Sequence, residues 1–348
     1  MHELSFEDAD QVIRIASGEV RSDRPTVFST MKNEMAFLPS WLEYHRNIGF
    51  EQFLIWDDAS GDGTFEYLCD QPDCIVLHSD MGFGEPSTYV DPRGTRRKDR
   101  FGTYVTAAAP QCFLKGQFVA YIDADEFLIL PPRVHSVATV VARLRDQGAT
   151  GCLASVIEFF PASSTGLVGE MPKSFSALLD AYPYFQAEKL IELAPGAKSP
   201  RFCGLSKTAR LYERYGIELP LYRRGWHRIW MPAKVKRAQR GQTSPRHKTP
   251  LILREGDSYQ VGSHNGSLPP SGTVLLSMAH FVFTARSREK IQDAIRRGGH
   301  ALGGRKYHGY AALLAAMDGC EDGFLDAESV RYEGPEQLVT LGLMRWES

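Results

Sequence analysis

Residues 118–128, which read FVAYIDADEFL, are the most informative stretch for the fold class. An apolar run at the start of this stretch is followed by two aspartates. The apolar residues 118–122 are typical of a buried strand. Asp123 and Asp125 follow one residue apart, in a segment that we expect to be a loop. Carboxylate oxygens suit Mg²⁺ or Mn²⁺, which also bind substrate phosphates. The stretch therefore predicts a strand that ends at a divalent-metal site, and the alternative is a solvated acidic loop.

Strand-like and helix-like segments alternate on the amino-terminal side of this stretch. The pattern predicts strands at 26–30, 53–56 and 75–77, and helices over 37–45, from residue 65 onward and within 101–114. Pro110 is an obstacle to the second half of the last helix, because proline has no N–H to donate. Such alternation is typical of an α/β fold whose mainly parallel sheet is covered by helices on both faces.

Polar residues follow three of these strands, at residues 32–34, at Asp57 and Asp58, and at Asp123 and Asp125. Ligands of open α/β sheets bind beyond the carboxyl ends of the strands, so we expect these groups to share one rim. There Asp57 or Asp58 could accept hydrogen bonds from a ribose or a base edge. A simple turn is the alternative, because Asp, Ser and Gly favour turns.

The second half of the chain is less regular and contains a basic run. Residues 220–254 include ten Lys and Arg residues and no Asp or Glu. This run could hold an anionic ligand such as a nucleotide diphosphate, or rest on an anionic membrane surface. An ordinary solvated surface is the third possibility.

Two histidines and a helical tail complete the pattern. A strand predicted over 274–278 leads to His280, and His264 lies upstream of it. Either histidine could complete a metal site, contact a phosphate or serve the structure alone. Helices are predicted from Ser287 and over 310–317.

The composition argues against several classes of protein. The chain has 348 residues, of which 43% are hydrophobic, so it can bury a core and is not disordered. Its 40 Lys and Arg against 42 Asp and Glu argue against a nucleic-acid binder. No apolar stretch is long enough to span a bilayer, and residues 1–20 lack the features of a secretory signal. The six cysteines show no zinc-site spacing, so we expect buried apolar fillers in a cytoplasmic protein.

Several short motifs also occur in a fixed order. They are KNE at 32–34, WLEYH at 41–45, GF at 49–50, DDASGDGT at 57–64, DADEFL at 123–128, HKTPL at 247–251, GSHN at 262–265 and HF at 280–281. Together they resemble the bacterial glycosyltransferase family 2-like proteins related to glycosyltransferase family 92. The resemblance covers roughly residues 25 to 310.

The resemblance implies a GT-A fold, with a mainly parallel sheet flanked by helices and helical C-terminal additions. The expected divisions are an extension at 1–24, a nucleotide-sugar-binding half at 25–150, an acceptor-side half at 151–310 and a helical tail at 311–348. It implies an inverting, hexosyltransferase-type enzyme that uses Mn²⁺ or Mg²⁺ and a nucleotide-sugar donor, with a UDP-sugar expected. The acceptor would be a glycan or glycolipid of polysaccharide biosynthesis, at the inner face of the membrane if residues 220–254 contact it.

The same resemblance assigns site residues by position. Those implied for the metal are Asp123, Asp125 and His280, and those implied for the donor are Asn33, Glu34, Asp57, Asp58 and Asp123. The family commonly has Asp-Asn where this chain has Asp57 and Asp58, so which carboxylate meets the nucleoside stays open. The role of His264 also stays open. An inverting reaction needs a carboxylate base, for which Glu158 and Asp257 are the candidates.

Two other functions fit parts of the pattern. One is a non-catalytic glycan- or nucleotide-binding protein on the same fold, against which the intact Asp123 and Asp125 argue. The other is a phosphatase or hydrolase that uses Asp-x-Asp as nucleophile and acid. That class needs the motif after the first strand and Thr or Val two residues past the second Asp, where this chain has Phe127.

Overall fold

A computed structural model describes residues 3–217, 245–297, 305–320 and 323–346. Its strands are β1 (Leu4–Ser5), β2 (Arg14–Ser17), β3 (Thr26–Met31), β4 (Gln52–Asp57), β5 (Cys74–His78), β6 (Pro86–Val90), β7 (Arg96–Arg100), β8 (Phe118–Tyr121), β9 (Glu126–Ile129), β10 (Gly151–Glu158), β11 (Tyr184–Gln186), β12 (Ile191–Glu192), β13 (Arg201–Phe202), β14 (His247–Leu253), β15 (Gln260–Val261), β16 (Asn265–Gly266), β17 (Leu275–His280) and β18 (Ser329–Arg331). Its α-helices are α1 (Ala9–Val12), α2 (Leu38–Asn47), α3 (Thr64–Cys69), α4 (Phe101–Phe113), α5 (Val137–Asp146), α6 (Phe175–Ala181), α7 (Lys207–Arg214), α8 (Ser287–Arg297), α9 (Arg305–Met317) and α10 (Pro335–Thr340). A short 3₁₀-helix covers Ser164–Leu167.

A nine-stranded sheet forms the centre, in the order β2-β5-β4-β3-β8-β14-β10-β17-β9. Strands β5, β4, β3 and β8 are parallel neighbours, and β10 is parallel to β17. Because β14 is antiparallel to both β8 and β10, these six strands all run in one direction. The α/β fold with a mainly parallel sheet is therefore confirmed, and β2, β14 and β9 run the opposite way.

Successive strand residues pack against different helix layers, as the alternation of side chains along a strand requires. On one face, Val27 and Phe53 join a buried cluster that includes residues of α2, α5 and α6. On the other face, Phe28 and Leu54 join a cluster with residues of α1 and α4. The sheet is thus covered on both sides, which explains why its central strands read as continuous apolar runs.

The predicted elements lie where the sequence placed them, with one difference inside α4. That helix continues through Pro110 to Phe113, although proline gives up one helical hydrogen bond. Residues 101–110 are almost all buried, so packing outweighs the missing bond. Pro39 lies in the first turn of α2, where its missing N–H costs no helical hydrogen bond.

The carboxyl-terminal part adds a third buried cluster, built from residues of α7, α8 and α9. Strand β18 pairs with β11 and ties residues 329–331 to the rest of the molecule. No helix in the described ranges combines the length and the apolar character that crossing a membrane requires.

The cysteines are all free, but only part of the prediction about them holds. Cys74 and Cys152 are buried fillers, whereas Cys203 and Cys320 are exposed. Cys69 and Cys112 are partly buried, so the prediction of buried fillers is wrong for the exposed pair.

Candidate functional site

The common strand direction gathers the candidate residues at one edge of the sheet. Strands β3, β4, β8, β10 and β17 all end there, together with the first residues of β14 and β9. The segment 122–125 joins β8 to β9, between which three other strands lie in the sheet order, so it runs along this edge. It carries Asp123 and Asp125 across the ends of the strands that supply the other groups.

Asp123 is bound by a buried lysine. Lys248, fully buried on β14, places its Nζ 3.0 Å from Asp123 Oδ2 and also contacts Glu126. Burial favours a neutral acid at Asp123, but the charge of Lys248 and the hydrogen bonds from Lys248 and Tyr121 together outweigh it, so the pKa of Asp123 is lowered. At Glu126 burial wins over the same charge, and the pKa is raised. The Asp123 side chain stays 33% exposed, so one face of this ion cluster is open to a ligand.

Asp125 is bound by a second lysine from another part of the chain. Lys290 Nζ, on α8, lies 2.9 Å from Asp125 Oδ2 and 3.0 Å from Glu34 Oε1. Burial would raise the pKa of Asp125, but the charge and the hydrogen bond of Lys290, together with smaller contributions from neighbouring basic groups, outweigh it, and the pKa falls well below its usual range. At Glu34 burial dominates, and the pKa is raised. One ammonium group therefore links the loop after β3 to the loop after β8.

The two candidate histidines lie close to these clusters. His280 Nε2 is 3.8 Å from Asp125 Oδ1, too long for a hydrogen bond. Burial, reinforced by the charge of Lys248, lowers the pKa of His264 to about 3. In both rings Nδ1 is buried and has no hydrogen-bond partner within the described ranges. Both therefore carry a buried polar atom that a ligand could satisfy.

The loops after β3 and β4 hydrogen-bond to one another and leave one oxygen of Asp57 without a partner in the described ranges. Asn33, in the left-handed region at φ 55°, accepts a hydrogen bond from Gly61 N at 2.8 Å. Asp58 accepts one from Phe83 N at 2.8 Å and lies 3.2 Å from the Lys32 ammonium.

Asp57 is placed differently. Its Oδ2 accepts a hydrogen bond from Ser60 N at 2.9 Å, but its buried Oδ1 has no partner in the part of the chain described. Of the two adjacent carboxylates, Asp57 is the one with an oxygen left for a ligand, and Asp58 mainly fixes the surrounding loops.

The two candidate bases lie in different places. Glu158 ends β10 beside His280, at the same edge as the aspartates. Both of its oxygens contact Thr208 at the start of α7, with Oε2 2.7 Å from the backbone N–H. Asp257 follows β14 at its other end, since Leu253 pairs with Phe118 at the amino end of β8. Its side chain is 60% exposed and 3.8 Å from Arg93. The structure brings Glu158 to the rim and leaves Asp257 at the opposite edge.

The basic run falls largely outside the described residues, which exclude 218–244. Of its ten basic residues, Arg246, Lys248 and Arg254 are described. Lys248 and Arg254 are fully buried, and Arg246 packs on the Phe202 ring at 4.1 Å. These three therefore serve the interior and the site, and contact of residues 220–254 with an anionic ligand or membrane stays a prediction.

The donor set at the rim suits a divalent cation only if the ligand shell is completed by a substrate. Within the described ranges no group of three or more His, Cys, Asp or Glu side chains is arranged to hold a metal. Two accessible carboxylates are nevertheless what Mg²⁺ uses when phosphates and waters supply the other ligands. Asp123 and Asp125 fit that arrangement, with His280 beside them.

The sequence did not reveal the two lysines. Lys248 is 125 residues from Asp123 along the chain, and Lys290 is 165 residues from Asp125. Lys248 lies in the motif at 247–251, which was the available signal, whereas Lys290 lies in no motif. Each pairing depends on sheet topology that local patterns do not encode.

Comparison with known proteins gives one limited similarity. No family model matches the chain. Among curated proteins, a glycosyltransferase family 92 protein from Oryza sativa subsp. japonica is 28% identical over 105 residues. The aligned part is 30% of this chain and spans 16% of that protein's length. This similarity supports a relationship with glycosyltransferases over the aligned stretch.

Proposed function

We propose that the protein is an inverting, metal-dependent glycosyltransferase. It moves a hexosyl group from a nucleotide-sugar donor, with a UDP-sugar expected, to a glycan or glycolipid acceptor of polysaccharide biosynthesis. The proposal takes its fold to be of the GT-A type. One observation carries it: Asp123, Asp125 and Glu34 converge with two lysine ammonium groups at the carboxyl edge of the sheet. The similarity to a family 92 protein supports the same class.

The mixed charges at this edge suit a nucleoside diphosphate. Asp123 and Asp125 would hold Mn²⁺ or Mg²⁺, which when bound would neutralise charge on the departing diphosphate. Lys248 keeps Asp123 ionised and fixed, because its own ammonium is fully buried and cannot turn away. Asp57 Oδ1 would accept a hydrogen bond from the nucleoside, and the linked loops around Asn33 position that oxygen.

An acceptor hydroxyl must lose a proton as it attacks the anomeric carbon. Glu158 is the candidate that lies on the reacting edge, while Asp257 lies on the other edge. Glu158 can act only if it releases at least one of its two contacts with Thr208. We therefore keep Glu158 as the first choice of base and Asp257 as the second.

A peripheral contact with an anionic membrane surface is a separate part of the proposal. It would bring the protein to a glycolipid acceptor, and it depends on residues 220–254, of which 220–244 lie outside the described ranges. A non-catalytic nucleotide-binding protein is the competing function, and the same donor site would serve it.

A donor panel with product analysis tests the proposal. Wild-type protein, Glu158→Gln and Asp257→Asn are incubated with nucleotide sugars and glycan acceptors in Mn²⁺, and the product anomer is assigned by NMR. We expect transfer with inversion, a loss of about a hundredfold or more in Glu158→Gln and little change in Asp257→Asn. Nucleotide binding without turnover of any donor would favour the binding protein.

A further inference from the structure

Lys290 differs from Lys248 in one decisive respect. The Lys248 side chain is fully buried, whereas that of Lys290 is 37% exposed. Both ammonium groups neutralise carboxylates of the same site, but only Lys290 has solvent beside it into which it can move. Lysine has a flexible four-carbon stem, so its ammonium can change partners without a backbone shift.

The Lys290 ammonium lies between two carboxylates of the rim. It lies about equally far from Glu34 Oε1, at 3.0 Å, and Asp125 Oδ2, at 2.9 Å. These carboxylates repel one another, since the charges of Asp125 and Asp123 both help to raise the pKa of Glu34. The Lys290 ammonium lies between these two carboxylates and offsets their repulsion.

A divalent cation on Asp125 would compete for the same oxygen. Two cations a few ångströms apart in a partly buried site repel strongly, so the ammonium and the metal disfavour each other. An ammonium displaced from Asp125 finds its best new partner in phosphate oxygens, which accept charge-assisted hydrogen bonds. The donor's diphosphate would bring such oxygens to the same rim.

We propose that Lys290 is a resident cation that holds Glu34 and Asp125 together until the donor arrives, and then turns to the donor's diphosphate. This inference rests on the proposed function, because it needs a nucleoside diphosphate and a divalent cation at this rim. It makes Lys290 a positioning residue and couples the two ligands. Metal alone binds weakly because it must displace the ammonium, and nucleotide strengthens metal binding because it gives the ammonium a new partner.

Titration of full-length protein with Mn²⁺, followed by the EPR signal of free Mn²⁺, tests this coupling. Each protein is titrated without nucleotide and with saturating UDP. In the wild type, UDP should tighten Mn²⁺ binding about tenfold or more. In Lys290→Met, Mn²⁺ alone should bind about tenfold tighter than in the wild type, and most of the UDP effect should vanish.

Two control variants separate charge from structure. Lys290→Arg keeps the cation and should behave as the wild type does. Lys189→Met removes a lysine of similar exposure, 40%, whose ammonium pairs with Glu192 at 3.1 Å, and should leave Mn²⁺ binding unchanged. If Lys290→Met lowers stability, added Mn²⁺ should raise its melting temperature more than that of the wild type, because the metal then replaces the missing cation.

The outcomes distinguish this inference from the proposed function. If Lys290→Met and wild type bind Mn²⁺ equally well without nucleotide, the resident-cation role is wrong while the transferase proposal stands. If wild-type protein binds neither Mn²⁺ nor UDP under any condition, the proposed function fails first and this inference fails with it.

Discussion

Asp57 and Asp58 are adjacent at the rim, but only one of them has an oxygen available to bind a nucleotide. Two adjacent carboxylates look equivalent in the sequence. In the structure Asp58 is engaged by Phe83 and Lys32, while Asp57 keeps one buried oxygen without a partner within the described ranges. The difference follows from the loops around them, which no local pattern specifies.

Asp57→Asn should therefore weaken UDP binding by about tenfold or more, because a hydrogen bond to a charged acceptor is lost. Asp58→Asn should instead lower the free energy of unfolding by about 1 kcal/mol and change UDP affinity little, since its ion pair with Lys32 is partly exposed. Calorimetric titration with UDP and urea unfolding measure the two effects. Equal losses of affinity in both variants would contradict the assignment.

His45 predicts a dependence of stability on pH. Burial lowers its pKa to about 3, its Nδ1–H donates to the Trp41 carbonyl oxygen at 2.8 Å, and the ring is fully buried. In the unfolded chain the pKa is about 6.5, so the unfolded state binds the proton first. This contribution to stability is fully present above pH ~6.5 and is lost as pH falls toward 3, by up to ~1.4 kcal/mol per unit.

His45→Gln removes that titration while keeping a donor for Trp41. Urea unfolding between pH 7 and pH 5 should show the wild type losing about 1.4 kcal/mol more per pH unit than the variant, once the pH is below ~6.5. Parallel pH profiles would show that His45 does not titrate as proposed. His264, whose pKa is also lowered to about 3, contributes a second such slope in both proteins.

At the scale of elements, helix α2 supports the loop that carries the aspartates. Trp41 Nε1 donates to the Asp123 carbonyl oxygen at 3.1 Å, and the Tyr44 hydroxyl donates to the Leu128 carbonyl oxygen at 2.8 Å. His45 packs against the Phe127 ring at 5.9 Å. The motif at 41–45 thus supports the motif at 123–128.

Trp41→Phe keeps an aromatic ring at this position but removes the indole N–H that donates to the Asp123 carbonyl oxygen. We expect the unfolding free energy to fall by about 1–3 kcal/mol, because a buried acceptor loses its donor and some packing volume is lost. Affinity for Mn²⁺ with UDP should fall too, since the loop is held less firmly. Urea unfolding and the EPR titration measure both, and unchanged metal affinity would contradict a supporting role for α2.

The helices and strands were largely predictable from the sequence, but the order of the strands in the sheet and the contacts between distant residues were not. Apolar runs such as 53–56 and 118–122 indicate buried strands through their length and composition, which are local properties, and these residues are buried in the structure. The order of strands in the sheet, and with it the approach of Lys248 to Asp123, depends on contacts between distant segments. Asp123 and Asp125 could be recognised because two carboxylates directly follow a buried strand. Lys290 could not, because nothing near it in sequence distinguishes it from a surface lysine.

Over the whole molecule, the carboxyl-terminal region is held to the rest by a nearly buried charge. Lys207 Nζ, only 1% exposed, lies 2.7 Å from Asp326 Oδ2 and 3.1 Å from Ser329 Oγ. Burial would raise the pKa of Asp326, but the hydrogen bonds from Lys207, Gln186 and Ser329 and the charge of Lys207 together outweigh it and lower the pKa to about 2. The stabilising pair is present above pH ~4 and is lost as pH falls toward 2.

Asp326→Asn should lower the free energy of unfolding by about 2 kcal/mol at pH 7, because the buried ammonium loses its counter-charge. Asp80→Asn, which removes an 84% exposed carboxylate paired with Arg14, should change stability by less than about 0.5 kcal/mol. Urea unfolding of the two variants beside the wild type makes the comparison. Equal effects would show that the Lys207 pair is no more than a surface contact.

The proposed function depends on whether Asp123 and Asp125 hold a donor diphosphate through a divalent cation. The most direct measurement is turnover of a UDP-sugar panel by wild type, Asp125→Asn and the surface control Asp318→Asn, with Mn²⁺ and with EDTA. We expect turnover only with metal, a loss of about a hundredfold or more in Asp125→Asn and no loss in Asp318→Asn. Full activity in EDTA, or in Asp125→Asn, would contradict it.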